Sequence, residues 1–334
     1  MYGVLLISYE RMWGDMKLID LHCDTVWKLM DLDKKGDLME NQCSVSIPGM
    51  KRAGTMAQFF ACFVHVKDLA GGYEEGYRHV HEMIDFMEGQ LKKFPEDIAG
   101  AYSGEDVMRN DEEGKISAVL TVEEGGILNG KLKRLETLHQ RGIRLMTPMW
   151  NDENCIGYPN SREPSVMEKG LKPFGIETVR RMGELGMAVD VSHASDGTFA
   201  DILRYARGPV VASHSNCREL KRHPRNLTDR MIHDLAEIGG GAGLNFYGPF
   251  LGTEDASLIE EMTAHILHMI RCGGESFPMI GTDFDGFDGI ERLDIPKAED
   301  MEKLWDALKK KGVSESQLDQ IWNGNALRIL NALS

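Results

Sequence analysis

The sequence predicts an α/β fold, a closed (β/α)8 barrel of the TIM type. Three observations predict it. About eight short apolar runs recur along the 334 residues. Stretches with apolar residues at three- and four-residue spacing separate them. Nearly every run ends in an ionisable or polar residue, and a closed barrel brings all its C-terminal strand ends to one mouth. A doubly wound open sheet is the alternative, but it would hold those residues too far apart to converge.

In chain order, 17–22 is the first run and leads into His22-Cys23-Asp24. The second, 57–64 (AQFFACFV), is followed by His65, and the third, 116–122 (ISAVLTV), by Glu123 and Glu124. The fourth, 143–149 (IRLMTPM), precedes Trp150 and Asn151. Runs 187–192 and 209–213 lead into His193 and His214. Run 241–246 carries Asn245 and meets Tyr247, and 278–282 meets Asp283. Near-continuous apolar runs suit parallel strands buried on both faces. Helical spacing is read over 77–90, 131–141, 175–185, 197–207, 228–238 and 257–270, with two further helices at 303–311 and 314–330. Two long connections, 151–174 and the basic 215–227, read as lids or binding loops and not as linkers. Residues 16–334 are therefore expected to form a single catalytic barrel domain.

Composition narrows the function. A formal net charge of -15 argues against nucleic acid or an anionic membrane as partner, since both need a basic face. No stretch of about 20 apolar residues is available to span a bilayer. The first fifteen residues lack a basic start and a small-residue cleavage site. One reading takes Met16 as the natural start and residues 1–15 as an upstream extension. Six cysteines without a Cys-x-x-Cys pair read as reduced core thiols, hence a cytoplasmic protein. The C-terminus reads as a helix end without a lipid-anchor tail.

The chemistry starts at His22-x-Asp24. Residues two apart in a strand point the same way, so both side chains can grip one metal ion while Cys23 points away. Asp190-Val-Ser-His193 and Ala212-Ser-His214 close two further runs in Ser-His, and neutral imidazole suits zinc and similar ions. A carboxylate can bridge two cations, which imidazole cannot do. Glu124 is the candidate bridge, with Glu123 the competing choice. Two ions about 3.5–4 Å apart can share a hydroxide and polarise a carbonyl. Asp283 is placed to move a proton. In the basic loop, Arg225 is the candidate for holding a carboxylate in a bidentate pair.

Taken together, His22-x-Asp24, Glu124-Gly-Gly, Asp190-Val-Ser-His193, Ser213-His214-Ser, Arg225-Asn-x-x-Asp229, Asn245-Phe-Tyr247 and Gly281-Thr-Asp283-Phe-Asp-Gly resemble, in this order, the membrane (renal) dipeptidase family. The likeness runs from about residue 18 to residue 330. It implies a metal-dependent barrel of the amidohydrolase type that hydrolyses dipeptides, often tolerating a D-residue on the C-terminal side. It implies two divalent ions, zinc first, held by His22, Asp24, Glu124, His193 and His214, with Glu124 bridging the ions and a hydroxide shared between them. It implies that Asp283 handles protons and meets the substrate ammonium, that Arg225 holds the substrate carboxylate, and that Tyr247 lines the pocket. A homodimer is a family-level expectation. The sequence departs from the mammalian pattern at Trp150, where those members place a histidine that steadies the tetrahedral oxygen; Trp150 reads as a pocket wall. The rival readings are another amidohydrolase acting on N-acyl amino acids, lactones or cyclic amides, and a barrel that only binds metal or peptide.

Overall fold

The computed structural model describes residues 16–31 and 36–333. The reading of 1–15 as an extension falls outside them. Eight parallel strands form the barrel: β1 (Leu18–Cys23), β2 (Thr55–Phe63), β3 (Ile116–Glu123), β4 (Ile143–Thr147), β5 (Ala188–Asp190), β6 (Val210–Val211), β7 (Ala242–Leu244) and β8 (Pro278–Ile280). Each coincides with one apolar run. Neighbours around the sheet follow chain order, and β8 pairs back onto β1 at Asp20 and Ile280. The seam between β6 and β7 closes through the Ala212–Ala242 bridge. There Ala212 N donates to Gly241 O at 3.0 Å and Gly243 N to Ala212 O at 2.8 Å. Near this seam the chains approach so closely that a Cβ on Gly281 would stand 1.8 Å from Ser213 O.

Alternation sorts the strand residues into two layers. Ile19, Phe59, Val119, Leu145, Val211 and Met279 belong to one buried cluster that fills the barrel. Leu18, Phe60, Leu120, Met146, Val189 and Ala212 belong to the larger cluster beneath the helices. The helices bury their apolar stripes there, as Gly72–Lys93 does with Val80, Met83, Ile84 and Met87. Side-chain caps start several of them. Ser195 accepts from Thr198 N, and Thr228 from Met231 N.

Several features depart from the sequence reading, among them the following. A short strand, Ile98–Gly100, pairs with the start of β3 below the point where β4 begins. A helix at Gly104–Glu112 was also not foreseen. The expected helix 314–330 is broken by a π turn at Gln320–Gly324. Within that turn Asn323 Nδ2 donates to Lys17 O at 2.8 Å, and directly after it Asn325 Nδ2 donates to Pro278 O at 2.9 Å. The turn thus ties together the N-terminal ends of β1 and β8, while Ala326, Ile329 and Leu330 join the inner cluster and plug that end.

Candidate metal centre

The strand ends at the opposite mouth converge. The register of β1 against β2 shifts between Asp20 and Cys23, where three residues oppose two. This bulge turns His22 into the mouth directly after the inward Leu21, while Cys23 packs outward. His22 Nε2 lies 3.2 Å from Asp24 Oδ2 and 3.7 Å from Glu123 Oε2. On the other side, His193 Nε2 lies 3.0 Å and His214 Nε2 3.5 Å from Glu123 Oε1. Glu123 therefore offers one oxygen to His22 and Asp24 and the other to His193 and His214. Within each trio, His22–Asp24–Glu123 and Glu123–His193–His214, the donor atoms lie within 4.8 Å of one another.

The placement of Glu124 at the bridge is corrected. Glu124 leaves the strand with φ 92, which turns its side chain away from the cluster. Its carboxylate accepts from Gly126 N at 2.8 Å, Trp150 N at 3.0 Å and Asn154 Nδ2 at 2.6 Å. It is a buried brace of the loops after β3 and β4. Glu123 is in phase with the inward Val119 and Thr121, and that alternation was the available signal.

Two histidine tautomers follow from their partners. Asn151 Oδ1, 3.1 Å from His193 Nδ1, can only accept, so Nδ1 carries the proton. Ser213 Oγ spends its proton on Asp190 Oδ2 at 2.6 Å, so it accepts from His214 Nδ1 at 2.7 Å. Both Nε2 atoms then present bare lone pairs to each other at 3.2 Å, with Glu123 Oε1 beside them. Burial, followed by the charges of Arg225 and His22, holds His193 well below the usual imidazole range. Burial, then His22 and Arg225, does the same for His214. Burial works against the His22 imidazolium, yet Asp24, Glu123 and Asp283 outweigh it and raise that group to about 10. Burial also drives Glu123 well above the carboxylate range, opposed by His22.

A cation suits this donor set. Facing lone pairs repel unless something positive sits between them. Asp24 Oδ1 and Glu123 Oε1 are buried without a hydrogen-bond partner. Imidazole and carboxylate together match zinc and similar divalent ions.

Two further aspartates hold the strand ends in place, and the sequence reading gave neither a role. Asp20 accepts from Thr282 N at 2.9 Å and Thr282 Oγ1 at 2.7 Å, tying β1 to the segment after β8. Asp190 accepts from Thr147 Oγ1, from Ser192 N and Oγ and from Ser213 N and Oγ, at 2.6–2.9 Å. It locks together the ends of β4, β5 and β6.

Asp283 sits at φ 62, a conformation an aspartate adopts at a cost. Its Oδ1 lies 3.8 Å from His22 Nε2, and its Oδ2 accepts from Asn245 Nδ2 at 2.9 Å. Burial drives its carboxyl up to about 7, opposed by His22 and Arg225 and reinforced by Asp24. Gly286 stands over it. A Cβ there would meet Asp24 Oδ2 at 2.3 Å and Asp283 Oδ1 at 2.4 Å. Gly286→Ala is therefore expected to displace both carboxylates and lower kcat/KM by about 10²-fold, the cost of misplacing a reacting group by an ångström. Steady-state kinetics beside a thermal melt would check this; unchanged kinetics would show that the loop absorbs the methyl group.

The cavity above these residues holds about 450 Å3. Trp150 and Tyr247 line it together with Trp27, Phe63, His65 and Phe287. Asp24, Glu123, His193, His214 and Asp283 form its floor. Arg225 is not among the lining residues. It is buried behind them, with Nη1 donating to Ser215 Oγ at 2.6 Å and Nη2 to His214 O at 3.0 Å. Its Nε is buried without a partner, and burial lowers the guanidinium to about 10.

Comparison with known proteins gives a consistent result. A family model described as membrane dipeptidase, peptidase family M19, matches residues 8–334. An uncharacterized dipeptidase of Schizosaccharomyces pombe is 29% identical across 96% of this chain and 81% of its own length. A metallopeptidase from Rhodobacter sphaeroides, liganded with a phosphinate mimic of the dipeptide L-Ala-D-Ala, superposes with a TM-score of 0.86 at 22% identity, covering 96% of this chain and 99% of that chain. A second metallopeptidase structure, described as a dipeptidase of family M19, gives a TM-score of 0.86 at 24% identity over 95% and 98% of the two chains. At these identities the two structures speak to the fold, and they bear out the barrel.

Proposed function

The chain belongs to the membrane dipeptidase family, peptidase family M19, and on that premise we propose that it is a metallo-dipeptidase, using two divalent ions, zinc first, to cleave dipeptides. The observation that carries this reading is the convergence of bare donor atoms. His193 Nε2, His214 Nε2 and Glu123 Oε1 point at one another on one side, and His22, Asp24 and Glu123 Oε2 meet on the other. When bound, the ions supply Lewis acidity and water activated at neutral pH.

The residues of this chain divide the remaining work. Asn151 and Ser213 fix which nitrogens of His193 and His214 face the centre. Asp283, held by Asn245, is the acceptor for the proton of the attacking water and its donor to the leaving amine. The same carboxylate meets the substrate ammonium. The Arg225 guanidinium, with its unpartnered Nε, provides the positive charge for the substrate carboxylate. Opposite charges for the two termini of a short substrate favour dipeptides over longer chains. The neighbour liganded with an L-Ala-D-Ala mimic supports tolerance for a D-residue at the C-terminal position. Among the described residues no helix is long and apolar enough to cross a membrane. Among the described residues the cysteines form no disulfide, which supports a reducing, cytoplasmic setting. Closure of the eight strands into one barrel supports residues 16–334 working as one catalytic unit.

The test is hydrolysis of L-Ala-L-Ala, L-Ala-D-Ala and N-acetyl-alanine by zinc-loaded protein, with metal content measured in parallel. Free dipeptides are expected to turn over, chelation to abolish turnover, and added metal to restore it. A metal-loaded protein that cleaves no dipeptide, or that prefers the N-acetyl substrate, would overturn the reading.

A further inference from the structure

Beside the central cavity lies a second chamber of about 270 Å3. Trp27, Phe63, His65 and Asp68 border both spaces, so the two adjoin. Trp27 and Phe63 meet edge to face at 5.7 Å between ring centres. Behind them Met30, Leu69 and Met83 make the walls apolar, whereas Asp68 and Glu82 add carboxylates. Both carboxylates are open to solvent, with side chains 74% and 50% exposed. Asp68 is held by one oxygen, which His65 Nδ1 meets at 2.7 Å. Glu82 has only long contacts, 3.8 Å to Arg78 Nε and 3.9 Å to His79 Nε2. Its oxygens keep capacity for a further donor.

Apolar walls with one carboxylate, Asp68, where the two spaces adjoin and another, Glu82, in the chamber match one kind of side chain, several methylenes carrying a positive head. We propose that this chamber is a side-chain subsite that selects dipeptides containing lysine or arginine at one of their two positions. The proposal rests on the dipeptidase reading and deepens it. The stem lies along Trp27, Phe63, Met30 and Met83, and the cationic head reaches Glu82 and the free oxygen of Asp68. A neutral chain of equal length keeps the first contact and loses the second. An acidic chain meets like charge, so the site discriminates by repulsion as well as attraction.

The test uses the full metal-loaded chain and kcat/KM for dipeptides pairing alanine with Arg, Lys, Met, Glu or Ala, in both orders. At one position Arg and Lys are expected to exceed Met by about 5-fold, the scale of one or two solvent-exposed ion pairs, with Glu poorest. Glu82→Gln is expected to cut the Arg-to-Met ratio at that position by about threefold. Leu69→Trp, which narrows the chamber, should lower Arg and Met together relative to Ala. Met equal to or better than Arg in both orders, or a ratio unmoved by Glu82→Gln, would overturn the subsite. Turnover of Ala-Ala reports separately on the dipeptidase reading, so the two failures are distinguishable.

Discussion

Glu123→Gln is expected to lower kcat by roughly 10³-fold, the range for removing one charged group from a preorganised centre, and to strip the protein of bound metal. Glu123 belongs to both donor trios, with one oxygen toward His22 and the other toward His193 and His214. An amide in its place offers one neutral oxygen and turns an N–H toward the other group. The unliganded protein should not suffer, because the substitution removes a charge that burial already disfavours. What should disappear is the rise in Tm on adding zinc, since ligand binding stabilises only through the affinity of the folded state. Glu124→Gln is the control. It should retain metal and keep kcat within about tenfold of the parent, but weaken the brace to Gly126, Trp150 and Asn154 at a cost of about 1–3 kcal/mol. Elemental analysis, kinetics and melts on both variants decide between the two carboxylates. Metal retained by Glu123→Gln and lost by Glu124→Gln would reverse the assignment.

Asp283→Asn is the second large effect. Its kcat is expected to fall by 10²–10⁴-fold, on the order reported for general acid–base groups, with metal content unchanged. The asparagine keeps the shape that the left-handed backbone at this position tolerates. The variant therefore isolates the proton-accepting function from the fold. It also places an amide against Asn245 Nδ2, and the new side chain can still present its oxygen there. Rates like those of the parent would take Asp283 out of the proton path.

The same pair of glutamates shows where the sequence was legible. The eight strand runs stand out because strands buried on both faces need unbroken apolar stretches, and the polar residue closing each run marks the mouth. Deciding between Glu123 and Glu124 required counting alternation back to Val119, and the Glu-Gly-Gly motif drew attention one residue too far. The β1 bulge was not readable, because a register shift is set by the partner strand and not by the segment itself. The strand Ile98–Gly100 is three residues long and ends in glycine, so it carries no period to detect. The π turn at Gln320–Gly324 interrupts an apolar pattern that reads as continuous helix, because its cause is tertiary. Asn323 and Asn325 must reach backbone oxygens at the far ends of two strands. Asp20 and Asp190 lay inside apolar runs where a lone aspartate gives no sign of its partners.

Those two buttressing aspartates bear on the proposed metal centre. Their bonds to Thr282, Thr147 and Ser213 run between strand ends and use none of the donor atoms of the centre. Binding of the two proposed ions would therefore not compete with these bonds. A cradle of imidazole and carboxylate would suit zinc, manganese or cobalt, with supply deciding among them.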